Sequence, residues 1–305
     1  MTGTRWFGRL KAELRDFLEV VALPALAMVL PWSLCYRVLR RLARWSWLYR
    51  AETDRAFAQA KALGWVHGDE STWRQLKRLT SLVDHADHYL TRTRSDTWMQ
   101  KHLTVSGEWP APDAPGLLLT FHWGAGMWAQ RHAGTAGVKA SMMVDAPSPA
   151  HFQGHKVLFR YIQARIRSIE LALHTPTVDA SKNLRPVLST LRRKESIMAV
   201  IDVPADQVAA TVNGELFGRA AHIPKALLRV GVEQAIPITL YMTGYRVDDG
   251  QRTLDIVQLG LYQDIDKLAA DIFAALNATI ARQPTAWHLW GEAPRFFNAA
   301  SPEPL

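Results

Sequence analysis

Gly116-Leu117-Leu118-Leu119-Thr120-Phe121-His122-Trp123-Gly124-Ala125-Gly126-Met127-Trp128 is the stretch of this 305-residue chain on which the fold turns. Leu117 to Phe121 is a brief apolar run bounded by turn residues, the pattern of a short strand buried on both faces in the middle of a sheet. The run ends on His122, and Gly124 and Gly126 follow within four residues. Glycines at such a terminus let the backbone turn sharply and let a bound molecule come close. A helix is expected to restart at Met127. A histidine at the carboxyl end of a central strand suits general-base work, because its unperturbed pKa lies near neutrality. A buried structural histidine hydrogen-bonded to a loop is the competing reading.

Carboxyl to this stretch, the alternation of strand, loop and helix continues. Residues 138–144 read as a strand running into Asp145-Ala146-Pro147, and residues 152–167 as a basic amphipathic helix with Lys156, Arg160, Arg165 and Arg167. A helix with Pro186 in its first turn runs to about Lys194, and residues 197–201 form a strand ending at Asp202. Residues 236–242 and 253–259 pair across the turn signal Asp248-Asp249-Gly250, and residues 266–282 close as a helix. Residues 51–105 read as largely helical, in three helices over 51–63, 71–90 and 95–103. In the second of these, His85 and His88 with Asp84 and Asp87 read as a solvated polar face, since no further metal-ligand set accompanies them. This order predicts an α/β fold, a central sheet flanked by helices. Three strand ends carry polar side chains, His122, Asp145 and Asp202; ligands gather at the carboxyl ends of strands in open α/β sheets, so the three are expected in one cleft.

Composition narrows the class. With 48% hydrophobic and 21% charged residues the chain is an ordinary folded protein, and one cysteine excludes a disulfide framework. The net charge is +8, and residues 1–50 hold nine basic residues against three acidic ones, +6 of the excess. The remaining +2 leaves no argument for a nucleic-acid partner. The N-terminal charge flanks Val20 to Leu34, a nearly unbroken apolar run shorter than the roughly 20 residues of a full span and interrupted by Pro24 and Pro31. Arg5, Trp6, Arg9 and Lys11 precede it; Trp32, Arg37, Arg40, Arg41, Arg44, Trp45 and Trp47 follow, residue types that sit at the headgroup level of a membrane. Residues 1–50 are therefore expected to anchor the chain to a membrane surface, embedded or briefly spanning, with a body over 51–305 on the cytoplasmic face. An ordinary core helix is the alternative for the apolar run.

Four features together give a family resemblance: the basic, Trp-bearing N-terminal segment; the strand with His122-Trp123-Gly124; Ile201-Asp202 followed by Leu216-Phe217-Gly218-Arg219 and His222-Ile223-Pro224-Lys225-Ala226; and Gln283-Pro284-Thr285-Ala286-Trp287-His288-Leu289-Trp290 with Arg295-Phe296 behind it. In this order the chain resembles the bacterial lipid A late acyltransferases, the lauroyl/myristoyl-transfer branch of the lysophospholipid acyltransferase superfamily. The resemblance implies a glycerol-phosphate-acyltransferase-like fold at the inner membrane. It also implies a thioester donor, acyl carrier protein favoured over coenzyme A, and a hydroxyl of a membrane lipid or glycolipid as acceptor, without a cofactor or a metal.

In that family an acidic residue stands five positions after the histidine, and here that position is Met127. A thioether cannot orient an imidazole or stabilise its protonated form. Either Asp145 or Asp202 supplies the carboxylate, or His122 acts unassisted, or the chain has kept only lipid binding. A transferase diverged towards another acceptor, such as a secondary-metabolite headgroup, stands beside these. On the transferase reading His122 is the base, Trp123, Gly124 and Gly126 line the substrate site, and backbone N–H groups of Gly124–Gly126, or a nearby basic side chain, hold the oxyanion. Arg219 and Lys225 are the candidates for a substrate phosphate, against a reading as solvated surface charges. The helix over 152–167 suits an acidic carrier protein or equally faces solvent or lipid headgroups, and Met127, Trp128, Met142 and Met143 are either acyl-slot or core residues.

Overall fold

A computed structural model describes residues 2–180 and 183–297, with side chains from Phe7 onward, so those of Arg5 and Trp6 lie outside the described residues. The chain opens with α1 (Thr2–Asp16), a π-helical stretch over Phe17–Ala22, the short α2 (Leu26–Val29) and α3 (Trp32–Leu42). Pro24 and Pro31 break the apolar run where their missing N–H groups and fixed φ forbid a continuous helix. Among the described residues no helix is long and apolar enough to cross a membrane, so a spanning form of the expected anchor has no helix to carry it. Part of the run is core: Ala27 and Trp32, with Cys35, Tyr36 and Leu39 just after it, pack in one cluster with Leu79, Leu82, Val83, Met127 and Trp128. Leu23, Leu26 and Leu30 are partly buried against this cluster, and the exposed apolar side chains are others of the N-terminal segment. Phe7, Leu10, Leu14 and Phe17 are exposed at spacings that place them on one helical face, and Met28, Val29, Leu34, Trp45 and Trp47 are exposed after them.

Helices α4 (Arg50–Ala62), α5 (Glu70–Thr93) and α6 (Asp96–Lys101) match the expected helical region closely. Asp69 caps α5 by accepting the Thr72 N–H at 2.7 Å, and Ser95 caps α6 in the same way. The sheet then begins: β1 (Leu103–Ser106), β2 (Leu117–Thr120), α7 (Met127–Thr135), β3 (Ala140–Val144), α8 (Lys156–Leu173), β4 (Val178–Asp179), α9 (Arg185–Arg192) and β5 (Ser196–Val200). A separate antiparallel hairpin follows, β6 (Thr211–Leu216) with β7 (Arg219–Pro224), then α10 (Lys225–Glu233), β8 (Ile238–Tyr245), β9 (Arg252–Gly260) and α11 (Ile265–Arg282).

The seven-stranded sheet has the order β1-β9-β8-β2-β5-β3-β4. From β8 to β4 the strands run parallel; β9 turns back antiparallel to β8, and β1 pairs parallel with β9. The molecule is thus α/β with a mostly parallel sheet flanked by helices. All four residues of β2 and all eight of β8 are buried, as expected of strands covered on both faces. The β8–β9 turn is held by the N-terminal region. Trp32 donates its indole N–H to the Gly250 carbonyl, Tyr36 donates its hydroxyl to the Val247 carbonyl at 2.6 Å, and the Tyr36 ring lies so close to Gly250 that a Cβ there would meet it at 2.6 Å.

Candidate active site

β2 and β5 are adjacent and parallel, with Leu117 opposite Ile197 and Thr120 opposite Val200. That register keeps partners 80 residues apart, and it continues past the strands: Ile201 donates its N–H to the Thr120 carbonyl at 2.9 Å. Two residues further along, His122 and Asp202 face each other for the same reason. The Asp202 carboxylate is fully buried and accepts from the His122 backbone N–H (2.8 Å), from the Trp287 indole N–H (2.9 Å) and from His122 Nδ1 (3.0 Å). Three donors on one carboxylate keep a buried charge tolerable.

With Nδ1 donating to Asp202, the imidazole proton sits on that side and Nε2 carries the free lone pair. His122 Nε2 makes no hydrogen bond among the described residues, and 41% of the His122 side chain is exposed, so this nitrogen is open to a substrate. Burial works against the charged ring, but the Asp202 carboxylate and its hydrogen bonds outweigh it and raise the His122 pKa above its ordinary value. Asp84 adds to the same effect. The arrangement is a positioned base with an orienting acid, able to take a proton from a hydroxyl.

Asp145 lies elsewhere. β3 is separated from β2 by β5, so Asp145 stands about two strand spacings, roughly 10 Å, from the β2 edge. It is exposed and makes no hydrogen bond or ion pair among the described residues. The structure brings together two of the three strand-end groups, not three. Met127 is buried at 2% exposure in the cluster beneath α5, which explains why the position five after the histidine is apolar: in this chain it points into the core.

The loop after His122 is fastened by the C-terminal segment. Trp123 and Trp287 form an isolated bridge, His288 donates its backbone N–H to the His122 carbonyl at 2.8 Å, and His288 Nε2 bonds the Gly124 carbonyl at 2.8 Å. Gly124 has φ +71°, and a Cβ there would stand 2.1 Å from the Thr243 carbonyl oxygen, so only glycine fits. Trp123 is a support for the loop; it is buried, packs on Gly244 and donates its indole N–H to the Gln283 carbonyl. The expected oxyanion donors need revision as well. The Gly124 N–H is given to Ala286 and the Ala125 N–H to Thr243, which leaves Gly126 and the first turn of α7 as the donors still free near the loop.

Arg219 and Lys225 do not join the dyad. Arg219, exposed at the start of β7, lays its guanidinium over the Phe297 ring, and Lys225 lines a 360 Å³ depression with Arg229, Glu233 and Asp264. Neither bonds His122 or Asp202. Met127, Trp128 and Met142 are core side chains, with Met143 half-buried beside the core. In α8, Arg160 and Arg167 are exposed, but Arg165 turns inward to a bidentate pair with Asp84 at 2.7 and 3.1 Å.

α5 departs furthest from the expected solvated face. Asp87 and His88 are buried and Asp84 and His85 half-buried, so this is no solvated face. Asp87 pairs with the fully buried Arg252, whose guanidinium also stacks 3.8 Å above the Trp32 ring. Lys77, equally buried, donates to the Trp287 carbonyl at 3.2 Å and faces Glu52 at 3.4 Å. Little in the sequence signals this: Lys77, Ser81, Asp84, His85 and His88 form a polar row at helical spacing, the pattern of a solvated face, and only the tertiary packing turns it inward. No family model and no curated protein matches the chain.

Proposed function

We propose that this chain is an O-acyltransferase that moves a fatty acyl group from a thioester donor to the hydroxyl of a lipid or glycolipid acceptor at a membrane surface. The observation that carries the reading is the His122–Asp202 pair at the carboxyl ends of two adjacent parallel strands, with Nε2 of the imidazole open. In the reaction, the acceptor oxygen attacks the thioester carbonyl carbon while Nε2 takes the hydroxyl proton. The tetrahedral intermediate collapses, the C–S bond breaks, and the proton passes from His122 to the leaving thiolate, which departs as a thiol. Asp202 holds the ring with Nδ1–H inward and stabilises the imidazolium between these two transfers. The N–H groups of Gly126 and the first α7 turn are the nearest donors for the oxyanion.

The resemblance to the lipid A late acyltransferases supports acyl carrier protein as the donor and a glycerol-phosphate-acyltransferase-like fold for the sheet. Asp202 takes the part that the carboxylate in the histidine box plays in that family. The exposed apolar row of α1 and the exposed Arg9, Lys11, Arg37, Arg40, Arg41 and Arg44 nearby support contact with an anionic membrane surface, being suited to the headgroup layer, and the resemblance adds the cytoplasmic face of a bacterial inner membrane.

The test is transfer from palmitoyl- or lauroyl-acyl carrier protein into lipid extracts, read by mass spectrometry, with wild type, His122→Ala and Asp202→Asn. Each variant is expected to lose about 10²–10⁴-fold in rate while remaining folded. Equal product from wild type and His122→Ala would remove His122 as the base, and binding of acyl chains without turnover by wild type would favour a lipid-binding role.

A further inference from the structure

Beside His122 stands a second group of polar side chains that the acyl-transfer step does not use, among them Asp84, which is near enough to favour the charged His122 ring. Lys77 on α5 holds the carbonyl of Trp287, and the next residue, His288, holds the carbonyl of His122. Lys77 also faces Glu52 of α4. About two turns along the same face of α5, Asp84 takes both terminal nitrogens of the Arg165 guanidinium, and His85 bonds the Tyr161 hydroxyl at 2.7 Å. Arg165 donates to the same hydroxyl; when Tyr161 gives its proton to His85 Nδ1, the His85 N–H lies at Nε2, which makes no hydrogen bond among the described residues. The group is reachable: Glu52 keeps 42% of its side chain exposed and His122 41%.

The charges in this cleft are already matched. Lys77 and Arg165 each face a carboxylate, and the Asp202 carboxylate matches the His122 imidazole when that ring is charged. Burial holds His85 and His288 neutral by lowering their pKa values, His85 to about 4. An arriving phosphate would find no free cation and would stand beside Glu52 and Asp84. A hydroxyl is both donor and acceptor, so a row of them can accept from Arg165 and His85 while donating to Glu52 and Asp84, with Lys77 buried behind Glu52. Pre-paired charges thus reject an anion and accept a neutral polyol.

We propose that this cleft binds the acceptor headgroup and is matched to an uncharged, hydroxyl-bearing one, a sugar or glycerol unit without a phosphate. The role in the reaction rests on His122 as the base; the binding preference does not. Calorimetric titration of the full chain in detergent with 1-octanoylglycerol and with 1-octanoylglycerol 3-phosphate separates the cases. The uncharged probe is expected to bind about tenfold or more tightly than its phosphate. Glu52→Gln, which frees Lys77, is expected to narrow that gap about threefold or more, with unchanged circular dichroism. Equal or tighter binding of the phosphate, binding of neither probe, or a gap unmoved by Glu52→Gln overturns the proposal. The same probes offered as acceptors with a carrier-protein thioester then test the base separately: preference without His122-dependent transfer leaves the headgroup site standing and rejects the catalytic reading.

Discussion

At the scale of single residues, His122 and Asp202 are the pair on which the chemistry depends. Because Asp202 raises the pKa of His122, the imidazole becomes a base only above its ordinary titration range. Transfer measured as kcat/KM is therefore expected to rise with pH through a midpoint above about 6.5, the unperturbed histidine value. Asp202→Asn removes the opposing charge, so the acid limb should move to lower pH even as the maximum rate falls; an unmoved limb would mean that some other group titrates. Met127 carries the lesson of the sequence reading at this scale. Its identity in this chain made a nearby carboxylate look lost, yet the acid came from a strand 80 positions on, at a distance only the register fixes.

At the scale of elements, α5 governs the interior. Its apolar residues Leu79, Leu82, Val83, Ala86 and Leu90 join the N-terminal cluster, and its polar residues face the sheet end and α8. His88 is buried at 2% exposure against the rings of Tyr89 and Tyr161, and burial pushes its pKa down to about 4, with Arg165, Arg92 and His85 adding repulsion. A group whose folded pKa is depressed gives its full stabilisation above its unfolded pKa, about 6.5, and loses it as pH falls towards 4. His88→Phe keeps a ring in the same place and cannot take a proton. Chemical denaturation at pH 7 and at pH 4.5 should show wild type losing on the order of 2 kcal/mol more than the variant between the two. Parallel losses would mean that His88 accepts a proton inside the fold.

At the scale of the whole molecule, the surface is asymmetric. Of the thirteen large apolar side chains exposed among the described residues, nine precede residue 48, and exposed basic residues surround them. A scattered exposed leucine is ordinary, but an apolar row on one helix face rimmed by arginine is the pattern of a helix lying in a membrane interface. Sedimentation with anionic phosphatidylglycerol vesicles is expected to capture the protein, less so in phosphatidylcholine or in high salt. Replacing Leu10 and Leu14 together by Gln should lower the partition coefficient about tenfold or more, each buried methylene being worth ~0.8 kcal/mol. Equal capture of wild type and this variant would place the membrane contact elsewhere.

The sequence by itself determined the elements that local periodicity encodes. The buried strand ending at His122, the strand ending at Asp202, the hairpin across Asp248-Asp249-Gly250 and the helices over residues 50–93 are each written in runs of a dozen residues or so. Tertiary structure alone decided strand order, and with it the site. Placing β5 between β2 and β3 gave His122 its partner and left Asp145 outside. The same assembly spent the Gly124 and Ala125 N–H groups on Ala286 and Thr243, turned the polar row of α5 inward, and split the first apolar run between core and surface. The physical reason is common to all of these: hydrophobic period is a property of neighbours along the chain, whereas the partner of a buried charge or N–H group is a property of neighbours in space.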